Sequence, residues 1–128
     1  MTEIQLGRVE WLDIREVWKH EALGFTPWLL ENADLLAEAL GIEIELEGAE
    51  HRVGGFSLDL IGSDRTNGVR LIVENQIEQS DHSHLGQLLT YAAGTDASTI
   101  VWVARSFREE HRAAIDWLNR QTAEDVRF

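Results

Sequence analysis

The sequence predicts a single α/β domain in which helices pack on a central β-sheet. Residues 42–47 alternate isoleucine or leucine with glutamate, which is the period of a strand with one buried and one exposed face. Residues 99–103 are apolar without alternation, as expected of a strand covered on both faces. Between these strands, apolar residues recur at helical spacing. A chain of 128 residues is long enough for such a sheet and its covering helices, although too short for two cores.

Composition favours a packed, cytoplasmic domain. Hydrophobic residues make up 44% of the chain, which also contains five tryptophans, and this predicts a core rather than disorder. Cysteine is absent, which excludes disulfide bonds, cysteine zinc sites and thiol chemistry. The first residues lack the basic and apolar regions of a signal peptide, and no apolar run approaches membrane-spanning length. We therefore expect a cytoplasmic location and no membrane partner.

The charge balance is unfavourable for a protein that binds phosphates. Lysine and arginine number 11 against 23 acidic residues, which gives a formal net charge of −12. Proteins that bind nucleic acid usually carry a basic patch. Binding therefore requires the negative charge to lie away from the binding face, or a further region, a partner subunit or a metal ion to supply positive charge.

The first part of the chain predicts an N-terminal segment, one helix and a strand. Residues 6–21 carry apolar side chains at loosely helical spacing, which favours a short helix or an irregular arm. Thr26 and Pro27 indicate a helix start, with Thr26 as the N-cap and Pro27 at the first helical position. The helix continues to Gly41, a residue typical of C-caps, and the alternating strand over residues 42–47 follows.

Two further strands are predicted next, joined by a hairpin. The first covers residues 53–61 and has a glycine pair near its start, which indicates a bulge or bend rather than a phosphate-binding P-loop. Asn67-Gly68 is the strongest hairpin signal in the chain, and it leads into a strand over residues 69–76.

The last part predicts a helix, a strand and a helix. The first helix covers residues 83–93 and is closed by Gly94, and the apolar strand over residues 99–103 follows. Ser106 and Glu109 form a capping box for a final amphipathic helix, so the element order is α-β-β-β-α-β-α. We treat residues 1–128 as one domain, with room for a further strand and therefore for a longer protein after the last residue.

Three acidic residues lie where apolar side chains are expected. Glu31 falls on the apolar stripe of the first helix, Asp59 interrupts an apolar strand, and Glu74 directly follows another apolar run. A two-residue turn at Asn67-Gly68 places Asp59 opposite Gln76 and diagonal to Glu74. A longer turn shifts the register by a residue or two and still keeps the two carboxylates close.

Two neighbouring carboxylates in a sheet repel each other, and burying them unpaired costs several kcal/mol. A divalent cation resolves the conflict, since hard oxygen ligands suit Mg²⁺ or Mn²⁺. Such an ion activates water and stabilises the charge that develops on a phosphate under attack. The alternative is that one or both carboxylates face solvent at an edge of the sheet, and spacing alone leaves both possibilities open.

These residues resemble the motif of a known nuclease superfamily. Asp59 followed by Glu74-Asn75-Gln76 resembles the D…(D/E)-x-K signature of PD-(D/E)xK nucleases, with glutamine in the lysine position. Gln87 and Tyr91 match the Q-x-x-x-Y element of RecB-like nucleases. The stretches 25–28, 73–76 and 81–92 are similar to a family of uncharacterised bacterial proteins whose nuclease-like domain is usually followed by a C-terminal region.

The resemblance implies a restriction-endonuclease-like fold, with an αβββαβ core and a mixed central sheet flanked by helices. It implies a site for Mg²⁺ or Mn²⁺ whose ligands are Glu31, Asp59, Glu74 and the carbonyl of Asn75. Gln76 is implied to orient the attacking water. Gln87 and Tyr91 are implied to position the nucleic acid or to support the site.

His82 and His84 lie beside these residues and allow two interpretations. Asp81 or Ser83 caps the following helix, with the imidazoles on the surface or in contact with phosphate. The alternative is a transition-metal site, for which two histidines alone are a small ligand set.

We therefore predict a metal-dependent nuclease that hydrolyses phosphodiester bonds of DNA, as one module of a bacterial defence or repair protein. The alternative is a catalytically weak or inactive nuclease-like module that binds nucleic acid or docks a partner. The net charge and Gln76 favour the alternative, since glutamine neither accepts a proton nor carries charge. Glu31, Asp59 and Glu74 favour the nuclease. A homodimer that completes the substrate groove is compatible with both.

Overall fold

The computed structural model of the protein describes residues 3–5, 9–11 and 24–128. Its elements are β1 Glu3–Gln5, β2 Val9–Trp11, α1 Thr26–Glu31, α2 Ala33–Leu40, β3 Ile44–Val53, β4 Phe56–Asp64, β5 Val69–Gln79, α3 His82–Thr95, β6 Thr99–Ser106 and α4 Glu109–Gln121. None of the helices in these ranges combines the length and the apolar character that crossing a membrane requires.

The central sheet is mixed and has the strand order β3-β4-β5-β6. β4 is antiparallel to both β3 and β5, whereas β6 runs parallel to β5. β1 and β2 form a separate antiparallel pair, so the helical prediction for residues 6–21 is wrong at Val9–Trp11. The rest of that span lies outside the described residues. From residue 24 onward, the mixed sheet flanked by helices is confirmed, and so is the predicted element order apart from a first helix that is divided in two.

Helices cover both faces of the sheet because the central strands are apolar on both sides. α1 and α2 pack on one face, where the buried core consists of Phe25, Leu29, Leu36, Leu60, Leu71, Val73, Ile77, Val101 and Val103. α3 packs on the other face, where the core consists of Leu58, Ile61, Ile72, Leu88, Tyr91, Ala97 and Ile100. Ile115 of α4 adds a partly buried side chain to this second core.

The predicted helix over residues 26–41 is divided at Asn32. This residue leaves helical geometry, with φ −123° and ψ 40°, and its Nδ2 donates to the carbonyl of Trp28 at 2.8 Å. Such a side-chain bond competes with the helical backbone ladder, and α1 ends there. Gly41 ends α2 in the left-handed region with φ 70°, which confirms its predicted C-cap role.

Two predicted hydroxyl caps are wrong. Thr26 lies inside α1, and its buried Oγ1 accepts a hydrogen bond from Asn75 Nδ2 at 3.0 Å. Ser106 ends β6, and the N-cap residue of α4 is Arg108, whose backbone N–H donates to Ser80 Oγ at 2.9 Å. In both places a contact with a residue distant in the chain takes precedence over the local cap.

α3 begins at a predicted cap and runs past its predicted end. The carboxylate of Asp81 accepts from the backbone N–H of His84 at 2.7 Å, which confirms Asp81 as the N-cap. The helix continues beyond Gly94, so this glycine does not close it, and Asp96 is the C-cap with φ 54°. Gly94 instead allows close packing against β3, since a Cβ there would overlap Val53 Cγ1.

Both hairpin turns of the sheet differ from the prediction, and the second difference changes the register of β5 against β4. β3 extends to Val53, and the two glycines that follow form the turn instead of opening β4. The next turn covers residues 65–68 rather than Asn67-Gly68 alone. As a result, the pairing of β5 against β4 is shifted by two residues from the two-residue-turn prediction.

Asp64 holds this longer turn. Its buried carboxylate accepts hydrogen bonds from the Asn67 backbone N–H at 2.9 Å, from Asn67 Nδ2 at 2.7 Å and from Thr99 Oγ1 at 2.7 Å. Burial alone would raise the pKa of Asp64, but the bonds from Asn67 and Thr99 outweigh burial and hold the pKa below its ordinary value.

Asp64→Asn is expected to destabilise the fold by about 1–3 kcal/mol at neutral pH, because an amide cannot accept all three bonds. Since the folded pKa of Asp64 is depressed, its contribution is fully present above the unfolded pKa of about 3.9 and is lost as the pH falls through the folded pKa. Urea unfolding should therefore show a difference between wild type and variant that narrows only below about pH 4. A difference of equal size down to the lowest pH at which both proteins fold would contradict this role.

Candidate active site

Asp59 and Glu74 lie side by side on adjacent strands. The pairing of β4 with β5 ends at Leu60 and Val73, and the same register places Asp59 opposite Glu74. Asp59 Oδ2 accepts a hydrogen bond from the Asn75 backbone N–H at 2.8 Å. In return, Glu74 Oε1 lies 3.4 Å from the backbone nitrogen of Asp59. The longer turn thus brings the two predicted carboxylates directly opposite each other.

The two carboxylates are partly withdrawn from water. Glu74 is 3% exposed, and Asp59 is half-buried. Burial raises the pKa of Asp59 above its ordinary value, the Asn75 N–H and the Glu74 side chain oppose this, and the negative charge of Glu50 raises the pKa further. A site that disfavours its own negative charge favours a bound proton or cation.

A third carboxylate, that of Glu50, lies near this pair and is not predicted by the sequence. Glu50 interrupts the pairing of β3 with β4, between two regular residue pairs. Its φ of 55° is rare for a residue other than glycine, and backbone strain of this kind concentrates at functional sites. Ser57 Oγ donates to Glu50 Oε2 at 3.0 Å. In the sequence, Glu50 resembles the exposed glutamates that precede it on the same strand.

Tyr91 joins the site, whereas Gln87 is bonded within its own helix. Tyr91 is buried, and its pKa is raised by burial and by the negative charges of Glu74, Asp59 and Glu50. Gln87 Nε2 donates to Ser83 Oγ, one turn earlier in α3, at 3.1 Å. Contact of Gln87 with nucleic acid stays a prediction.

The other two predicted ligands are placed less directly. Glu31 is the last residue of α1 and is exposed, and within the described residues no hydrogen bond or ion pair joins it to Asp59 or Glu74. The side chain of Asn75 is turned toward α1, where Nδ2 binds Thr26, and its buried Oδ1 has no hydrogen-bond partner. Glu31 and the carbonyl of Asn75 remain predicted ligands.

The donor set of Asp59 and Glu74 suits a hard divalent cation. Magnesium is commonly held by one or two carboxylates and keeps several waters, rather than occupying a closed protein cage. Among residues 3–5, 9–11 and 24–128, no three histidine, aspartate or glutamate side chains converge as a metal cage in the present arrangement. Asp59 and Glu74 are the residues that would hold such an ion.

Gln76, in the lysine position of the motif, is buried and fully engaged as a donor. Its Nε2 donates to the carbonyl of Gln79 at 2.6 Å and to Asp81 Oδ2 at 2.9 Å. Its Oε1 accepts from Trp102 Nε1 at 3.1 Å. Since both amide hydrogens are used, only the remaining lone pair of Oε1 is left for the predicted orientation of a water.

The two histidines of the H-x-H motif turn to different partners. His84 Nδ1 lies 2.9 Å from Asp81 Oδ1, whereas His82 Nδ1 lies 2.9 Å from His111 Nε2 on α4. The other ring nitrogen of His111 lies 2.7 Å from Ser80 Oγ, so His82 belongs to a chain of polar groups between α3 and α4. In the described residues, the rings of His82 and His84 therefore have different hydrogen-bond partners, and a shared metal stays an untested alternative. No sequence pattern singles out the buried His111.

No model of a known protein family matches this sequence, and no curated protein matches it. Among solved structures, the chain is similar to one described as the crystal structure of a repair endonuclease from Pyrococcus abyssi, with a TM-score of 0.53 and 19% sequence identity. The match covers 71% of this chain and 42% of that chain, so this chain spans less than half of the length of its structural neighbour. At this identity the likeness shows the fold alone, and the fold is restriction-endonuclease-like.

Proposed function

We propose that this domain is a metal-dependent nuclease of the PD-(D/E)xK type, which hydrolyses phosphodiester bonds of DNA with Mg²⁺ or Mn²⁺ held by Asp59 and Glu74. The observation that supports this most strongly is the opposition of the two carboxylates at the end of the β4–β5 pairing. The fold shared with a repair endonuclease is consistent with the same chemistry, although a fold by itself does not determine function.

The residues around the carboxylates have separate tasks in this mechanism. A divalent ion bound at Asp59 and Glu74 would acidify a water and neutralise charge on the phosphate. The Asn75 N–H holds the Asp59 carboxylate in place at 2.8 Å. The raised pKa of Tyr91 keeps its phenol protonated, so it acts as a neutral hydrogen-bonding group beside the site. The charge of Glu50 strengthens the attraction for a cation.

The second candidate is a nuclease-like module without catalysis, which binds nucleic acid or docks a partner. Gln76 favours it, because its amide carries no charge and both amide hydrogens are committed within the fold. The net charge of −12 also favours it, since it opposes binding to a polyanion. Binding of a divalent ion at Asp59 and Glu74 would argue against this candidate, because a pure docking module has no reason to bind an ion there.

The direct test is cleavage of single- and double-stranded DNA with Mg²⁺ or Mn²⁺, compared with EDTA. Calorimetry with Mn²⁺ tests the site separately from catalysis. We expect cleavage that requires the metal, together with Mn²⁺ binding. Folded protein that binds Mn²⁺ but does not cut DNA would indicate that cleavage needs a partner or a further region. Absence of both activities would favour the docking module.

A further inference from the structure

The hairpin that joins β3 to β4 extends beyond the carboxylate pair. Val53 pairs with Phe56 across the turn over residues 54–55. A Cβ at either glycine of this turn would meet no atom within 4 Å, so the turn projects into open space. Phe56 lies three residues before Asp59 on the same extended strand, which corresponds to about 10 Å. The hairpin tip, defined as residues 51–57, is therefore close to the candidate active site.

The ring of Phe56 is the most exposed large apolar side chain among the described residues, with 60% of its surface accessible. A single exposed apolar side chain is common on protein surfaces, so exposure alone assigns no role to this ring. Its position does, because an aromatic ring beside a positive charge is the combination on which proteins bind single-stranded nucleic acid.

Arg52 supplies the positive charge at the hairpin tip. It is exposed and pairs with Ser57, one position from the pair formed by Val53 and Phe56. Within the part of the chain that the structure describes, no hydrogen bond or ion pair engages its guanidinium, whereas Arg65, at the other end of the two strands, is paired with Glu45. A guanidinium is well suited to bind phosphate oxygens. The tip therefore offers a cation to a polyanion although the chain as a whole is acidic.

The strands on both sides of the turn are anchored to the body of the domain. Val53 packs closely against Gly94 of α3, where a Cβ would overlap Val53 Cγ1. Leu58, two residues after Phe56, is completely buried in the core under α3. The backbone that carries Phe56 is therefore fixed before any ligand arrives, which lowers the entropic cost of binding.

We propose that the hairpin tip binds single-stranded DNA beside the active site, with one base stacked on Phe56 and one phosphate bound by Arg52. This inference rests on the proposed function, which puts the reacting phosphodiester at Asp59 and Glu74. An aromatic ring stacks on a base whose face is free, whereas the bases of a duplex are already stacked on their neighbours. The separation of about 10 Å between Phe56 and Asp59 corresponds to roughly three nucleotides of one strand. The preferred substrate is therefore DNA that is unpaired at the site.

Fluorescence anisotropy with a labelled deoxythymidine oligonucleotide measures this binding, in EDTA so that the strand is not cut. Wild type should bind the single strand more tightly than a duplex of the same length. Phe56→Ala is expected to raise the Kd for the single strand by about 10-fold, as loss of one stacked base should. Phe56→Leu should lose as much, since leucine is apolar without an aromatic face, and Phe56→Tyr should bind like wild type.

Further variants test the charge and control for a general change of the surface. Arg52→Ala should weaken binding and reduce the slope of log Kd against log salt by about 0.7, the value for one phosphate contact on a single strand. Trp117→Ala removes a comparably exposed aromatic side chain from α4, and Arg65→Ala removes an exposed arginine from the far end of the hairpin. Both controls should bind the oligonucleotide like wild type, and every variant should keep the wild-type Tm.

The outcomes separate this inference from the proposed function. If wild type prefers the duplex or binds no single strand, the inference is wrong, whether or not the protein cleaves DNA. If Phe56→Ala or Phe56→Leu keeps wild-type affinity, the ring does not stack on a base and the inference is wrong as well. If binding of the single strand depends on Phe56 but wild type does not cleave DNA with Mn²⁺, the tip binds as inferred and the catalytic proposal fails.

Discussion

Asp59→Ala and Glu74→Ala are each expected to lower DNA cleavage by more than about 100-fold. Removal of a group that only orients a metal ligand typically costs about 10–100-fold, and loss of the ligand itself should cost more. Each substitution leaves one carboxylate where the structure has two in direct opposition. A single carboxylate provides fewer oxygen ligands and less negative charge for Mg²⁺ or Mn²⁺. Calorimetry should therefore show weakened Mn²⁺ binding in both variants, in parallel with the loss of cleavage.

Glu47→Ala is a suitable control for both substitutions. Glu47 is an exposed carboxylate of β3, so its removal changes the net charge by the same amount without touching the carboxylate pair. We expect this variant to cleave DNA and to bind Mn²⁺ like wild type. Wild-type cleavage by both Asp59→Ala and Glu74→Ala would falsify the site assignment.

Gly62→Ala is expected to destabilise the protein by about 3 kcal/mol, the upper range for forcing extra atoms into a packed interior. Gly62 is buried in β4 opposite Leu46, next to a register shift in β3. A Cβ at this position would overlap the carbonyl oxygen of Glu45 and lie 2.9 Å from the Cα of Leu46. Because both obstacles are backbone atoms, the strand itself has to move. Thermal and urea unfolding measure the effect.

Gly48→Ala is the matched control for this prediction. Gly48 lies at the same register shift, and a Cβ there would meet no atom within 4 Å. The free energy of unfolding should change by no more than about 0.5 kcal/mol, as is usual for substitutions that disturb no packing. Equal stability of the two variants would contradict the prediction, because it would mean that the β3 backbone moves away from an added Cβ at Gly62 without loss of stability.

Local patterns were sufficient for the elements whose signals lie within a few residues. The alternation over residues 42–47 predicted β3, and the apolar run over residues 99–103 predicted β6. Gly41 was predicted as a cap, and Asp81 as one of two candidates with Ser83, since a cap involves backbone groups only three or four residues away. The element order and the α/β fold class followed from these signals, whereas the mixed sheet was implied by the resemblance to PD-(D/E)xK nucleases.

The predicted caps at Thr26 and Ser106 were wrong, and in both places the start of the helix is bonded to a residue distant in the chain. Thr26 binds Asn75, which is 49 residues away in the chain. Arg108 at the start of α4 donates to Ser80, which is 28 residues away. A short polar side chain offers the same hydrogen bond to either kind of partner, so packing decides which bond forms.

The register of the candidate site depends on a turn that Asp64 stabilises through local bonds from Asn67 and one distant contact. Asp64 binds Thr99, 35 residues away, and holds a four-residue turn in place of the predicted two-residue turn. This shift moves Glu74, rather than Gln76, into position opposite Asp59. The closeness of the two carboxylates was predicted from the sequence, but their direct opposition depends on the four-residue turn over residues 65–68.

The sequence by itself determined that Asp59 and Glu74 lie on adjoining strands, because strand period and strand order follow from local patterns. Only the tertiary structure decided that Glu50 lies near them, that the amide hydrogens of Gln76 are used up, and that His84 is paired with Asp81. The physical reason is that these contacts depend on register and on how α3 docks against the sheet. Both arise from the packing of side chains that are far apart in the chain.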